Sequence, residues 1–294
     1  IRVDVGTYNE NVLLNKDVTL AGVHSAPLPA GQSIINGGGS GIVVTITTSN
    51  ATVDGFTITG SGSNPLADGG IVMAGVTGCL VQNNSVINNS SAGIGLQGAN
   101  NNSILNNLVT NNYVAAIGLI ASSGNTVKGN NASSTHLVYI PASPGVSEQF
   151  LGYGIVLDEN SGYVSSGNTI IGNTISDNTS DGVYFGEGCN GNNLGWDPVL
   201  SVENPNTITT NDRTGVYFWR SGSNMVKGNT MSANTFSGMH IMGSSGNTIT
   251  GNTMSGNLEN GLLVRAGSIS STSNIIQNNT ITLNNIGIKL EDSQ

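Results

Sequence analysis

Residues 247–264 read NTITGNTMSGNLENGLLV, and the same pattern recurs through most of the chain. Apolar residues lie two positions apart in three short runs, which is the period of a β-strand, and Asn and Gly separate the runs. Each unit ends in Gly-apolar-x-apolar. Successive starts of this motif, from Gly70 to Gly287 with Ala116 in place of one Gly, are 23, 23, 38, 28, 33, 23, 23 and 26 residues apart. A repeat of this length predicts a solenoid with three strands in each turn.

The predicted fold class is therefore all-β: a single-stranded right-handed parallel β-helix with rungs of about 23 residues and loop insertions. No stretch has the sustained 3.6-residue apolar period of a helix. Residues 1–294 are predicted to form one domain. Because solenoids normally have capped ends, and this chain starts and stops within the pattern, we expect it to be a fragment or processed form of a longer protein.

Two sets of Asn recur at fixed places in the units, five residues apart. The first set is Asn84, Asn107, Asn173, Asn206, Asn229, Asn252 and Asn279, and the second is Asn89, Asn112, Asn178, Asn211, Asn234, Asn257 and Asn284. Asn tolerates the left-handed backbone conformation of tight turns. Identical Asn side chains can also hydrogen-bond along a stack. Both sets are therefore predicted to be structural.

The composition limits the partners and the compartment. Only 9% of residues are charged and the net charge is −9, which argues against nucleic acid as a partner because binding it needs a basic surface. No apolar run predicts membrane insertion. The polar, weakly charged surface suits an extracellular or cell-surface protein. Cys79 and Cys189 have no metal-binding spacing, and we expect no disulfide between them. The oligomeric state stays open.

The first rungs resemble a known superfamily. Residues 1–14 contain a strand, Gly6-Thr7-Tyr8, a polar pair and a second short strand, and this order resembles the start of pectin-lyase-like right-handed β-helix proteins. The later Asn-Thr-Ile and Gly-Ile-x-Leu units resemble the repeats of surface and polysaccharide-processing members. The resemblance implies the fold over nearly the whole chain. It implies function only weakly, because many activities occur on this fold.

The catalytic signatures of two such families are absent. The chain lacks the paired Asp and Gly-His-Gly signatures of polygalacturonases. It also lacks the Asp-Pro-His-Asp motif of β-helix alginate epimerases: Tyr153-Gly154-Ile155 resembles the start of that motif, but Val156-Leu157-Asp158-Glu159 follows. No catalytic residue is therefore carried over from either family.

Four units contain extra residues, and these insertions predict where function was added. One insertion lies around 133–153, before a Gly-x-x-x strand, and three lie at about 158–168, 187–205 and 266–273. The latter three are all predicted to follow this strand directly. Loops on both sides of the strand would form the walls of a groove, with the outward side chains of rungs 154–265 as its floor.

The predicted floor is aromatic and ionisable. Alternation in a strand places every second side chain outward. The candidate catalytic residues on the floor and at its bend are His240, Tyr217, Tyr184, Asp158, Glu187, Arg220 and Arg265. The candidate substrate-binding residues are Trp219 on the floor and Trp196, Asp197 and Glu203 in the insertion at about 187–205, the longest of the three that follow the strand. Aromatic rings beside charged groups are typical of a site for a saccharide chain.

Two reaction classes fit this set of side chains. A glycoside hydrolase needs two carboxylates beside the scissile bond. Its candidates are Asp158, Glu187, Asp197 and Glu203. A lyase needs a base near an acidic C–H bond and a positive charge on the sugar carboxylate. Its candidates are His240, Tyr217 or Tyr184 as the base and Arg220 or Arg265 as the cation.

The sequence therefore predicts a secreted or cell-surface polysaccharide-degrading enzyme, a lyase or a hydrolase. Five of the eight Lys and Arg residues follow residue 212, which favours an anionic polysaccharide. The alternative is a non-catalytic glycan-binding or structural surface module. No metal ligand set is predicted, and calcium between Asp158 and Glu187 is left open as a cofactor.

Overall fold

A computed structural model describes residues 1–23, 31–141 and 149–291, and within these ranges the regular structure is entirely β. The first eighteen strands are β1 (Gly6–Asn9), β2 (Val12–Leu14), β3 (Thr19–Ala21), β4 (Ser33–Asn36), β5 (Val44–Ile46), β6 (Thr52–Asp54), β7 (Thr57–Thr59), β8 (Ile71–Ala74), β9 (Leu80–Gln82), β10 (Ser85–Ile87), β11 (Ile94–Gln97), β12 (Ser103–Leu105), β13 (Leu108–Thr110), β14 (Ala115–Ile120), β15 (Thr126–Lys128), β16 (Asn131–Ser133), β17 (Val138–Ile140) and β18 (Gln149–Leu151). The others are β19 (Tyr153–Asp158), β20 (Thr169–Ile171), β21 (Thr174–Ser176), β22 (Val183–Phe185), β23 (Asn193–Leu194), β24 (Trp196–Asp197), β25 (Val202–Glu203), β26 (Thr207–Thr209), β27 (Val216–Trp219), β28 (Met225–Lys227), β29 (Thr230–Ser232), β30 (Ser237–Met242), β31 (Thr248–Thr250), β32 (Thr253–Ser255), β33 (Asn260–Arg265), β34 (Ile275–Gln277), β35 (Thr280–Thr282) and β36 (Ile286–Glu291).

The strands form three long parallel sheets that run the length of the molecule. Sheet I is β1-β4-β7-β10-β13-β16-β21-β26-β29-β32-β35, sheet II is β2-β5-β8-β11-β14-β19-β22-β27-β30-β33-β36, and sheet III is β3-β6-β9-β12-β15-β20-β23-β28-β31-β34. Each of the first ten rungs contributes one strand to sheets I, II and III in that order, and the last described rung contributes β35 and β36 to sheets I and II. The chain is therefore a parallel β-helix, and the predicted fold class is confirmed.

Side-chain alternation fills a narrow core between the three sheets. In β27, Val216 and Phe218 are fully buried, whereas Tyr217 and Trp219 point outward and are half-buried. Phe218 packs edge-to-face on Phe185 of the rung before, with ring centroids 4.6 Å apart. Parallel pairing holds the same register from rung to rung, with Tyr217 beside Tyr184 and His240 beside Tyr217. The predicted outward positions of sheet II are therefore correct.

Buried Asn ladders run along all three corners of the helix, one more than predicted. The backbone N–H and Nδ2 of Asn84 both donate to Oδ1 of Asn107, at 3.0 and 3.1 Å, and Nδ2 of Asn107 donates to the Val81 carbonyl at 3.0 Å. The third ladder, at the corner between sheets II and III, consists of Asn102, Asn125, Asn168, Asn192, Asn224, Asn247 and Asn274. These bonds satisfy polar groups that would otherwise be buried without partners.

The left-handed turn residue is not the ladder Asn itself but the residue before it. Asn83 has φ 53° and precedes Asn84, and Asn106 has φ 54° and precedes Asn107. Elsewhere Gly often takes this place, as at Gly228 before Asn229, with φ 75°. The prediction that the recurring Asn residues supply the left-handed conformation was thus wrong by one position. Their structural role as a hydrogen-bonded ladder is confirmed.

The Gly that opens most sheet II strands is required by close packing between rungs. A Cβ atom on Gly215 would lie 2.6 Å from the Gly238 carbonyl oxygen and 2.9 Å from Nδ2 of the ladder residue Asn234. On the outward-facing Gly95, a Cβ atom would meet nothing closer than 3.8 Å. The first glycine therefore lets stacked backbones approach closely, whereas the second leaves room for a methyl group.

We expect Gly215→Ala to destabilise the protein by about 1–3 kcal/mol, because the added methyl group must push two rungs apart. Gly95→Ala should leave stability unchanged or raise it by about 0.5 kcal/mol, since its methyl group meets no close neighbour and the unfolded chain loses freedom. Urea unfolding of the two variants checks this pair. Equal stabilities would contradict the packing argument.

The insertions lie at all three corners, and one prediction of their place is wrong. The hairpin β17–β18 lies between sheets I and II, and its tip, residues 142–148, is outside the described residues. The loops at 159–168 and 266–274 lie between sheets II and III, as predicted. The hairpin β24–β25 lies instead between sheets III and I, because β23 has already paired in sheet III before it begins.

Candidate functional site

The outer face of sheet II carries a stack of aromatic rings across four consecutive rungs. Tyr153 and Tyr184 have ring centroids 5.2 Å apart, and Tyr184 meets Tyr217 edge-on at 5.6 Å. Tyr217 lies parallel to the His240 imidazole, with a centroid distance of 4.6 Å and an interplanar angle of 14°. The Tyr217 hydroxyl also contacts Sδ of Met242 at 3.1 Å. We call Tyr153, Tyr184, Tyr217 and His240 the aromatic column.

A second outward column lies beside the aromatic column, towards sheet III. It contains Asp158 and, further along the helix, Trp219 and Arg265, with Met242 in register between the last two. The rung between Asp158 and Trp219 has Gly186 at this place, and a Cβ atom there would collide with Oδ1 of Asp158. The glycine thus leaves room for the carboxylate. Burial raises the pKa of Asp158, and the nearby Glu159 and Glu187 raise it further.

The bend after this column holds an ion pair. Both guanidinium contacts from Arg220 to the Glu187 carboxylate are short, at 3.1 and 3.3 Å, and the guanidinium also donates to the Ser268 hydroxyl. The same guanidinium lies 5.2 Å from the Trp219 ring centroid. Because its charge is already matched by Glu187, Arg220 is a poor candidate for neutralising a substrate carboxylate.

Three predicted substrate-binding residues lie away from this face. Trp196, Asp197 and Glu203 belong to the hairpin β24–β25 at the corner between sheets III and I. Lys227 joins the hairpin to the helix, with its ammonium 3.9 Å from the Trp196 ring centroid and 3.4 Å from the Glu203 carboxylate. Asp197 accepts two backbone N–H bonds within the hairpin turn. Their predicted place on the wall of the sheet II groove is wrong, and each has a structural contact instead.

Asp181, the residue just before the Gly182 repeat start, is not among the residues predicted from the sequence. Asp181 is fully buried next to the aromatic column, and its Oδ1 accepts the Thr214 backbone N–H at 2.9 Å. Its Oδ2 has no hydrogen-bond partner in the described chain. Burial raises the pKa of Asp181 to about 6, and the nearby Arg213 opposes part of this rise. A buried carboxyl group with a free oxygen is unusual, and such groups are typical of functional sites.

Burial also sets the protonation states along the aromatic column. It raises the pKa values of Tyr153, Tyr184 and Tyr217, so these phenols stay protonated at neutral pH and do not act as a base. The pKa of His240 is lowered to about 4, first by burial and then by the positive charges of Arg265 and Arg213. Its imidazole is therefore neutral at neutral pH. Its Nε2 is enclosed and has no partner among the described residues.

Two arginines beside this face form no salt bridge in the described chain. Among residues 1–23, 31–141 and 149–291, no carboxylate lies within 4.0 Å of Arg213 or Arg265. Both lower the pKa of His240, which shows that their charges act on this face. Arg213 was not among the predicted residues. Together the two guanidinium groups make this part of an acidic protein locally attractive to an anion.

The raised pKa of Asp181 makes folding stability depend on pH. Between about pH 4 and pH 6 the folded state keeps a proton that the unfolded state has released, so stability falls as pH rises through this window. Asp181→Asn keeps the acceptor for Thr214 and removes the titration. At pH 8 the variant should be more stable than wild type by about 3 kcal/mol, the free energy of a shift from 3.8 to about 6. At pH 4 the difference should be small, and urea unfolding at both values checks it.

Other features of the described chain offer no comparable site. No group of three or more His, Cys, Asp or Glu in the described ranges is arranged to hold a metal ion, and calcium at Asp158 and Glu187 stays a prediction. Cys79 and Cys189 are both free and buried. A cavity of about 380 Å³ lies at the N-terminal end, lined mainly by side chains of the first rungs such as Ile1, Leu20 and Phe56. In the part of the chain that the structure describes, no helix is long and apolar enough to span a membrane.

Comparison with known proteins places the chain in a family. A family model described as a right-handed β-helix region matches residues 30–170 and 153–294. The chain belongs to the right-handed β-helix family. This match confirms the right-handed parallel β-helix predicted from the repeat and the resemblance to the pectin-lyase-like superfamily.

Individual relatives share the fold or a short segment. A cell surface glycoprotein of Methanothermus fervidus is 39% identical over 88 residues, which are 30% of this chain and only 13% of that protein. The A-module of the Azotobacter vinelandii mannuronan C-5 epimerase AlgE4 has a TM-score of 0.65 at 15% identity, with 100% of this chain and 90% of that chain covered. The periplasmic alginate epimerase AlgG has a TM-score of 0.63 at 13% identity, with 92% and 67% covered. At these identities the two structures show the fold alone.

Proposed function

We propose that this protein is a surface or secreted polysaccharide-binding enzyme whose substrate lies across the rungs on the outer face of sheet II. The observation that carries the proposal is the aromatic column together with two polar atoms that have no hydrogen-bond partner in the described chain. These atoms are Nε2 of His240, within the column, and Oδ2 of Asp181, next to it. The strands β19, β22, β27, β30 and β33 present about 19 Å of surface along the helix axis, enough for several sugar rings. Aromatic rings and polar groups together suit the apolar faces and hydroxyls of sugars.

The relatives support the general class and the location. The solved structures similar in fold include enzymes named for their action on mannuronan and alginate, and the sequence relative is named as a cell surface glycoprotein. A glycan partner and a place outside the cell or on its surface follow as the simplest proposal for this chain. Arg213 and Arg265, which form no salt bridge among the described residues, favour an anionic glycan.

Within this class, the electrostatics favour elimination from a uronate over hydrolysis. Neutral His240 is the base: it takes the proton on the carbon next to the sugar carboxylate, and the neighbouring C–O bond to the leaving sugar breaks. The hydroxyl of Tyr217, whose ring stacks on His240, donates a proton to the departing oxygen. Arg265 and Arg213 stabilise the charge that develops on the carboxylate. Because Nε2 of His240 is enclosed, substrate binding has to shift Tyr217 or another neighbour to expose it.

Hydrolysis is the second candidate and rests on one pair of carboxylates. Asp158 has a raised pKa, and Glu187 on the next rung faces Arg220, so their environments differ as those of an acid and a base do. Asp197 and Glu203 no longer belong to this candidate set, because they lie at another corner. The products distinguish the two reactions.

The test is incubation with a panel of neutral and uronate-containing polysaccharides, with and without calcium, followed by mass spectrometry of the products. Elimination predicts shortened chains with an unsaturated end that lacks one water, formed from uronate polymers. Products with water added would favour the Asp158–Glu187 pair. Saturable binding without any product would mean that the protein is a glycan-binding module and not an enzyme. Absence of both binding and cleavage would contradict the whole proposal.

A further inference from the structure

The chain contains eight Asn-x-Ser/Thr sequons, the acceptor motif for N-linked glycans on exported proteins. A sequon can be modified in the folded protein only where the amide nitrogen of its Asn reaches solvent. The same Asn-rich turns that build the ladders also create these sequons. Two adjacent residues, such as Asn88 and Asn89, therefore have the same local motif but opposite surroundings.

Two of the eight sequons begin with a ladder residue, and the side-chain amides of these asparagines are inaccessible to a sugar. Asn89 and Asn178 are fully buried. Nδ2 of Asn89 donates to Oδ1 of Asn112 at 3.1 Å, and Nδ2 of Asn178 donates to Oδ1 of Asn211 at 2.9 Å. A sugar on either nitrogen would break the ladder and would have no room in the core.

Two further sequons are accessible but hindered. Nδ2 of Asn83 donates to the Asp54 carboxylate at 2.9 Å. Asn131 lies within the sheet I strand β16, paired on both sides, and its sequon hydroxyl on Ser133 is buried. An acceptor needs a free amide and a reachable hydroxyl, and neither residue has both.

The remaining four sequons have accessible asparagine side chains. Asn50, Asn88, Asn101 and Asn278 are exposed and occupy left-handed turn positions, with φ between 55° and 64°. Within the described chain the side-chain Nδ2 atoms of these four asparagines make no hydrogen bond, and the hydroxyl residues Thr52, Ser90, Ser103 and Thr280 are not buried. These asparagines stand at the corners of the helix, where a glycan would point away from all three sheets.

We propose that Asn50, Asn88, Asn101 and Asn278 carry N-linked glycans, and that the ladder sequons at Asn89 and Asn178 do not. The donor is a lipid-linked oligosaccharide. The Asn amide nitrogen forms a bond to C1 of the first sugar as the bond from C1 to the lipid phosphate oxygen breaks, and the nitrogen loses one proton. The proposal requires a place outside the cell, and it does not depend on polysaccharide cleavage.

The position of these sites leaves the aromatic column uncovered. Three of the four lie before residue 102, and the other follows residue 277. Between residues 132 and 277 the sequence has one sequon, the buried Asn178. Glycans would therefore cover the two ends of the helix, while the outer face of β19, β22, β27, β30 and β33 stays free for a ligand.

The test is glycopeptide mapping of the protein purified from its source, with electron-transfer fragmentation to assign each sugar to one Asn. We expect sugar on Asn50, Asn88, Asn101 and Asn278, with Asn88 modified and its neighbour Asn89 bare. Unmodified peptides at all four sites would overturn the proposal. Sugar on Asn89 or Asn178 would also overturn it, because it would show that attachment ignores the folded structure.

An Asn88→Gln variant made in the same source supplies a second measurement. Asn88 has no side-chain hydrogen bond in the described structure, so the variant should fold normally and lose the mass of one glycan. Asn101→Gln serves as the matched comparison at another corner and should lose the same mass. An unchanged mass in both variants would contradict the assignment, whereas polysaccharide cleavage should persist in both.

Discussion

Replacing Asn107 with alanine should destabilise the β-helix by about 3–5 kcal/mol, because each buried polar group left unpaired costs about 1–3 kcal/mol. The change removes the Oδ1 atom that accepts the backbone N–H and Nδ2 of Asn84. It also removes the donor to the Val81 carbonyl, at 3.0 Å. Urea unfolding followed by circular dichroism measures the loss as a lower midpoint.

The adjacent residue supplies the control. Asn106 is exposed, has φ 54°, and is the left-handed turn residue before the ladder. Asn106→Gly keeps that conformation accessible without a Cβ atom, so its stability should lie within about 0.5 kcal/mol of wild type. If both variants lost stability equally, the effect would come from the turn, and the ladder would not be the main source of axial stability.

Replacing His240 with alanine should lower kcat on a uronate polysaccharide by about 10²–10⁴-fold, the usual contribution of a general base. His136→Ala is the control, because His136 also contacts a tyrosine ring, Tyr113 at 4.9 Å, but lies outside the sheet II face. It should retain full activity. Matching urea midpoints for His240→Ala and wild type would exclude unfolding as the cause.

The pH dependence of kcat/KM is a second test of His240 as the base. Because the pKa of free His240 is lowered to about 4, kcat/KM should rise as the pH increases through about 4 and then level off. Tyr217→Phe should keep the stacked ring and remove the proton donor, so kcat should fall with little change in KM. A profile rising near pH 6.5 would mean that the histidine is not in the buried state described.

The repeat allowed the fold and the outward register to be predicted from sequence alone. A strand period of two and a fixed unit length leave one arrangement that buries the apolar residues of every unit, as in Val216 and Phe218. Tyr184, Tyr217 and His240 therefore had to be stacked on one face. Their stacking on this face can therefore be predicted from the repeat pattern alone.

The place of the insertion at 187–205 could not be deduced from the distance between repeat starts. That distance counts extra residues but does not say which corner holds them. The Gly191-Asn192 pair was the missing signal, because it matches Ser223-Asn224 of the next rung and marks the corner between sheets II and III. The extra residues come after it, so Trp196 could not border the sheet II face.

Asp181 and Tyr153 were missed for a different physical reason. Both lie just before the Gly that opens a sheet II strand, where simple alternation would turn them away from the outer face. A Cβ atom on Gly182 would point at Ile208 and the ladder residue Asn211, so this glycine faces the core and the alternation breaks. The residue before it is outward, and only coordinates reveal that.

The central claim is that a polysaccharide binds across the outer face of sheet II. Hydrogen–deuterium exchange of the protein, saturated with the polysaccharide of the panel that binds best, tests it most directly. The account predicts slower exchange in peptides that contain residues 153–158, 182–187, 215–220, 238–243 and 261–266. Protection of the hairpin at 196–203 instead, or no protection at saturation, would contradict it.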